Sequence, residues 1–291
     1  MTMKRISNAM KKTIAFILRG KGKNIRNGWW VMIFLFLLAG FLFPLILLAD
    51  SYDFELSVWL QTGIIALVTI LCQTMRGKPL MEISGSINKV WWKELFIGLL
   101  LGAVLMLLPA LILMVGGVVR WQLNYISAPV FLQGLILMMG VAMAEELLFR
   151  GFLFQRLVAA FGTWPAQLMT AAMFLLTHLD KEGMTGFTGA VAGVNIFIAS
   201  ILFGRAFLKS KNLAMPFSLH FMANVMQGPV LGFGVSGDQE QGLLKPLLSE
   251  TSRWLSGGNF GLEASPVALI LLIIITCSPY FRTITKQEGK V

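Results

Sequence analysis

Residues 130–160 read VFLQGLILMMGVAMAEELLFRGFLFQRLVAA. The run is apolar at both ends and is broken near its middle by Glu145, Glu146 and Arg150. An ionisable side chain at the centre of a bilayer costs about 2.5–3.5 kcal/mol even on the mildest scale, so such residues are functional by default. The run is longer than the roughly 20 residues a spanning helix needs, which predicts a strong tilt or an extension beyond the bilayer. Two further apolar runs hold the only histidines of the chain, His178 and His220. Three helices that each carry a polar group to membrane depth point to one site.

The rest of the 291-residue chain is of the same kind. It is 56% hydrophobic and 13% charged, with mean hydropathy +0.76, whereas soluble domains average about 25% charged residues. Lipid leaves only helices and closed barrels able to satisfy the backbone, and the polar/apolar alternation of barrel strands is absent. The expected fold is therefore all-α, a polytopic membrane bundle. Eight apolar segments are predicted, at 29–49, 56–75, 95–118, 130–160, 164–180, 187–208, 213–231 and 264–281. The net charge is +10, and with the N-terminus inside, 20 of the 24 basic residues fall in inner segments. Eight spans with both termini cytoplasmic thus satisfy the positive-inside rule, and seven would misplace the basic C-terminus. The excess charge orients the chain and gives no reason to expect a nucleic-acid partner.

This divides the chain into a basic segment 1–28, a helical domain 29–281 with a core at about 130–231, and a cytoplasmic tail 282–291. The first segment mixes basic positions with Ile6, Met10, Ile14, Ile17 and Leu18. It reads either as an interfacial helix on anionic lipid or as a solvated tail. No cleavable signal is seen, and the run from Trp29 reads as a signal anchor. Cys72 and Cys277 sit in apolar runs as small fillers. The outer loop at about 232–263 either caps the bundle or touches a substrate. Gly98-x-x-x-Gly102 and Gly189-x-x-x-Gly193 fit close helix approach.

Adjacent helix positions point about 100° apart, so Glu145 and Glu146 face different surroundings. Glu146 and Arg150, at i and i+4 with the acid first, form the better-oriented ion pair. Glu145 is left to face an interior cavity, where it suits a general base. With a turn at Phe161–Pro165, Glu145 and His178 stand about 24 and 21 Å from it and reach similar depth. Phe174 precedes His178 by one turn and can pack on its ring. His220 and Asn224 share a helix face. A glutamate, two histidines and an asparagine suit water activation and oxyanion binding. No His-Glu-x-x-His run occurs, yet Glu145, His178 and His220 on separate helices still form a candidate zinc set.

Glu145-Glu146-x-x-x-Arg150, Phe174-x-x-x-His178 and His220-x-x-x-Asn224 resemble the three motifs of the CPBP intramembrane proteases. That family includes the CAAX prenyl-proteases and bacterial bacteriocin-processing (Abi-type) or immunity relatives. The resemblance implies a membrane-embedded endopeptidase, described either as a metalloprotease or as glutamate-dependent. In it Glu145 and His178 activate water, His220 and Asn224 hold the oxyanion, and Glu146, Arg150 and Phe174 support the site. It also implies membrane lipid and a peptide or protein substrate as partners, the latter either prenylated or a bacterial peptide precursor. The expected location is the bacterial cell membrane. The alternative is a non-catalytic binding or immunity protein, or a proton-coupled transporter, because embedded Glu and His also relay protons.

Overall fold

The computed structural model describes residues 25–249 and 253–284. The expected interfacial segment therefore lies outside the described residues over 1–24, and the end of the tail over 285–291. The long helices are α1 (Asn27–Tyr52), α2 (Val58–Arg76), α4 (Lys89–Val115), α5 (Ala128–Glu146) and α8 (Gly186–Ser210). Shorter ones are α3 (Met81–Ser84), α6 (Leu153–Phe161), α7 (Thr163–Leu176), α9 (Ala214–Val225), α10 (Arg253–Ser256) and α11 (Pro266–Cys277). Their ends follow local chemistry. Asn88 Oδ1 accepts from the Val90 and Trp91 N–H groups at 2.9 and 3.0 Å and starts α4, as an N-cap should. Gly77, at φ +63°, closes α2 with its N–H on Gln73 and Thr74 carbonyls, the left-handed cap that glycine adopts freely.

Every expected apolar segment falls on a helix. Among the described residues, five helices are long and apolar enough to cross a membrane, with 128–161 taken as one. The segments expected at 164–180, 213–231 and 264–281 contain helices of only 14, 12 and 12 residues. Outward faces are apolar, with Phe36, Phe96 and Ile274 all exposed, as lipid contact requires. The chain is a multi-pass helical membrane protein.

The structure differs from the sequence reading in three places. The run through 130–160 is not one regular helix. A π-helical turn, Leu147–Phe152, separates α5 from α6, and Gly151 leaves helical geometry at ψ −125°. Next, α7 stops at Leu176, so His178 lies in the following turn and not in the helix. The reason is competition for one carbonyl. Phe174 O receives Thr177 Oγ1 and His178 Nδ1, both at 2.8 Å, while the His178 N–H turns to Leu175 O. Side-chain bonds of this kind displace the helical ladder. Finally, the bundle carries a small antiparallel sheet, β1 (Val119–Leu123) with β2 (Leu244–Leu248), in register Trp121↔Pro246. Through it the loop after α9 is stitched over one end of the bundle, helped by Trp121 Nε1 donating to Leu231 O at 3.0 Å.

The opposite end is basic. Arg156 bridges Glu82 at 3.0 Å and Asn27 Oδ1 at 3.2 Å, and Arg76 joins the same Glu82 at 3.2 Å. Burial alone would raise the Glu82 carboxyl, but the bond and charge of Arg76 and the charge of Arg156 outweigh it and hold it low. The two glycine pairs separate in role. Gly98 and Gly102 meet the backbone of α9 directly, where an added Cβ would collide with Met215 O, Ser218 Oγ and Leu219 O. Gly189 instead avoids Met184 of its own preceding turn.

Two outcomes follow for stability, both read as melting temperature in detergent. Gly102→Ala should destabilise by about 1–3 kcal/mol through overpacking against backbone, whereas Gly63→Ala, with nothing within 4 Å, should leave melting unchanged or raise it slightly. Because the Glu82 carboxyl is held below its ordinary 4.5, its contribution is fully present above that pH and is lost as pH falls through the lower folded value. Glu82→Gln should therefore flatten the acid limb of the melting-temperature profile; an unchanged limb would remove Glu82 from this network.

Candidate active site

The polar residues at the end of α5, in the π-helical turn after it, in the turn after α7 and on α9 meet beneath the stitched loop. Arg150 is fully buried. Its Nη1 donates to Glu146 Oε1 at 3.1 Å, and Nη2 donates to Ser200 O at 2.9 Å and Ser200 Oγ at 2.8 Å. The guanidinium also faces the rings of Phe174 at 5.2 Å and Phe203 at 5.1 Å, a favourable placement for a desolvated cation. Glu146 is 1% exposed and shares Oε1 with a second donor, His220 Nδ1, at 2.9 Å. The far nitrogen of that ring, Nε2, lies 3.6 Å from Glu145 Oε2. Phe203 stacks on the His220 ring at 4.7 Å and 12°. A continuous chain thus runs Arg150–Glu146–His220–Glu145.

The two adjacent glutamates divide as helical geometry predicts: Glu146 is sealed in the ion pair, and Glu145, with a 25% exposed side chain, lines a cavity of about 1010 Å³. His178, His220, Asn224 and Phe174 line the same cavity. Phe174 packs on the His178 ring at 4.8 Å. His178 Nδ1 donates to Phe174 O at 2.8 Å, which leaves Nε2 as the acceptor of a neutral ring. Asn224 is buried, and among the described residues its amide makes no hydrogen bond, so both amide atoms are available to a ligand.

The structure therefore gathers Glu145, Phe174, His178, His220 and Asn224 around one cavity, with Glu146 and Arg150 buried next to it, and adds one relation. His220 is expected to share a helix face with Asn224, and in addition its two nitrogens are flanked by Glu146 and Glu145. Glu145, expected without a partner in its own helix, lies 3.6 Å from His220 Nε2. The expected zinc set fares differently. Among the described residues no group of three or more His, Cys, Asp or Glu side chains is placed to hold a metal ion. Glu145, His178 and His220 do not converge as donors, and His220 already commits Nδ1 to Glu146.

Four residues with a part in this site escape the motif reading. Ser200 and Phe203 on α8 hold Arg150 and His220, and Asn195 on the same helix lines the cavity while buried. Glu263 enters from the loop preceding α11, with Ser236 N–H at 2.8 Å and Ser236 Oγ at 3.1 Å on its Oε2. Burial holds its carboxyl above the usual carboxylate range, against the opposing charge of His178 and the Ser236 bonds. Asn195 and Ser200 were visible as polar residues in an apolar run. Glu263 had no comparable signal, because it lies at a loop edge.

Residues 126–226 match the family model for type II CAAX prenyl endopeptidase Rce1-like proteins, in agreement with the CPBP resemblance. The matched segment contains all three motifs, from Glu145 to Asn224. No curated protein and no solved structure matches the chain. The family match supports an intramembrane endopeptidase acting on a peptide or protein substrate.

Removing one member of a buried ion pair costs about 3–5 kcal/mol, because the other charge is left uncompensated. Arg150→Ala should accordingly reduce folded yield and melting temperature sharply. Arg150→Lys should recover only part of the loss, since one ammonium cannot reproduce the fork shared between Glu146 and Ser200. Full recovery by lysine in a thermal melt would show that charge alone matters there.

Proposed function

We propose that the chain is a glutamate-dependent intramembrane endopeptidase whose core spans about 130–231, with both termini on the cytoplasmic side. The observation that carries this reading is the opening of the Arg150–Glu146–His220–Glu145 chain onto the cavity that His178 and Asn224 also line. Glu145 takes one proton from a water whose other O–H keeps its proton and donates a hydrogen bond to His178 Nε2. The resulting hydroxide attacks the scissile carbonyl carbon. The carbonyl oxyanion accepts a hydrogen bond from the Asn224 amide, and preorganised donors of this kind supply the largest share of acyl-transfer catalysis. His220 joins Asn224 as a donor from Nε2 when it is an imidazolium, with Glu146 as its counter-ion at Nδ1. Glu145 then passes its proton to the leaving amine, which restores the carboxylate. Glu146, Arg150 and Phe174 position these groups and touch no substrate.

If zinc were bound, Glu145, His178 and His220 would have to hold it, and it would polarise the carbonyl and acidify water. The substrate is a peptide or protein, either prenylated or a bacterial peptide precursor, and the membrane is the bacterial cell membrane.

Glu145→Gln should abolish hydrolysis of a membrane-peptide library, a loss of at least about 10²–10⁴ for a general base, while melting temperature stays near that of the parent. Metal analysis on the same samples should find less than one equivalent of zinc, with activity surviving chelation. Stoichiometric zinc lost together with activity in His178→Ala would replace the glutamate mechanism by a metallo one. Proton flux into liposomes without any substrate, lost in Glu145→Gln, would replace the peptidase by a proton carrier.

A further inference from the structure

The chain has a net charge of +10, with 24 basic and 14 acidic residues. Its cavity reverses that balance. Among the described residues, Glu55, Glu145, Asp238, Glu240 and Glu263 line it, against one lysine, Lys181, no arginine, and the two site histidines. Lys181 is spent on Asp238 at 2.7 Å. Glu55, Glu240 and Glu263 have no basic ion-pair partner among the described residues. Glu240 is held above the ordinary carboxylate range by burial and then by the charge of Asp238, a repulsion that a cation in the cavity would relieve. Apart from Glu145, these acids come from the α1–α2 link and the loop over the sheet end, the end opposite the basic Arg76–Glu82–Arg156 cluster.

A second observation marks the cavity as built for a ligand. Asn195 on α8 is 5% exposed, lines the cavity, and among the described residues has no hydrogen-bond partner for its amide. A buried amide left unpaired costs free energy unless something enters to meet it. An amide offers both donor and acceptor, which matches a peptide backbone.

We infer that the cavity selects a peptide segment carrying positive charge, with a lysine or arginine held by Glu55 and Glu240 at the sheet end while Asn195 bonds its backbone. This rests on the endopeptidase reading for what happens next, but binding can be tested without it. Apart from Glu145, the acids come from segments at the sheet end, so the charge belongs on the flank of an apolar segment and not within it. A field of one sign in a low-dielectric cleft raises the local concentration of an oppositely charged ligand.

The probe is an apolar, membrane-length peptide bearing a neutral fluorophore and ending in Lys-Lys, Gln-Gln or Glu-Glu on one flank. Its binding to the Glu145→Gln protein in zwitterionic detergent is read by anisotropy. The Lys-Lys form should bind about tenfold more tightly than Gln-Gln, and Glu-Glu more weakly than either. The preference should shrink as salt rises, because the Debye length falls from about 10 Å at 0.1 M to about 3 Å at 1 M. Glu55→Gln with Glu240→Gln should erase most of the preference, whereas Asn195→Ala should weaken all three peptides alike. Equal binding of the three, or tightest binding of Glu-Glu, overturns the inference. Hydrolysis by the parent protein separates the two readings. Cleavage of all three with one KM retires the charge selection and keeps the peptidase, and charge-dependent binding with no cleavage retires the peptidase and keeps the cationic site.

Discussion

The buried guanidinium of Arg150 is the constraint on which the rest of the core depends. A cation with no water around it costs several kcal/mol to desolvate, and the cost is offset only when every donor is used and a counter-charge is present. Here the counter-charge is Glu146 on the preceding turn, Nη2 donates to both the carbonyl and the hydroxyl of Ser200 on α8, and Phe174 and Phe203 offer their ring faces from α7 and α8. Satisfying one side chain thus fixes the relative positions of three helices. The fourth follows, because Glu146 Oε1 also accepts from His220 on α9. Glu146 Oε2 is buried with no partner among the described residues, so the carboxylate is anchored through a single oxygen that serves two donors.

The departures from regular helix lie beside these residues. The π-helical turn Leu147–Phe152 begins directly after Glu146 and contains Arg150, and a second one, Met226–Val230, begins two residues after Asn224. Such turns collect at functional sites because they re-aim side chains at the expense of ladder bonds. Pro229 sits inside the second and has no N–H to lose. The end of α7 belongs to the same pattern, since the carbonyl of Phe174 is given up by the helix so that it can hold the His178 ring.

The helices, their order and the motif residues were legible in the sequence because they rest on local rules. Apolar run length marks a helix, i and i+4 spacing pairs Glu146 with Arg150, and a 100° step separates Glu145 from Glu146. Gly98 and Gly102 also behaved as their spacing indicated, against α9. What was not legible depends on which segments meet across space. Ser200 and Phe203 look like ordinary members of an apolar helix until Arg150 and His220 arrive beside them. Glu263 is 85 residues away from His178 in the chain, and only the loop stitched down by β1 and β2 brings it to the cavity. The placement of His220 between two carboxylates required knowing the rotation of α9 about its axis, and no spacing within α9 encodes that.

The two histidines cannot exchange tasks, and the reason is what each Nδ1 touches. A backbone carbonyl carries no net charge and accepts the Nδ1–H of His178, so the proton sits on Nδ1 and the lone pair of a neutral ring is on Nε2. A carboxylate carries a full charge, so the Glu146 side chain on His220 Nδ1 can serve as counter-ion to a doubly protonated ring. A lone pair accepts from a water that must be activated, and an N–H donates to an oxygen that is becoming an anion. In the proposed mechanism the first role falls to His178 and the second to His220, because of one neutral and one charged acceptor. Arg150 enters here again, since by fixing Glu146 it also fixes which histidine has the charged neighbour.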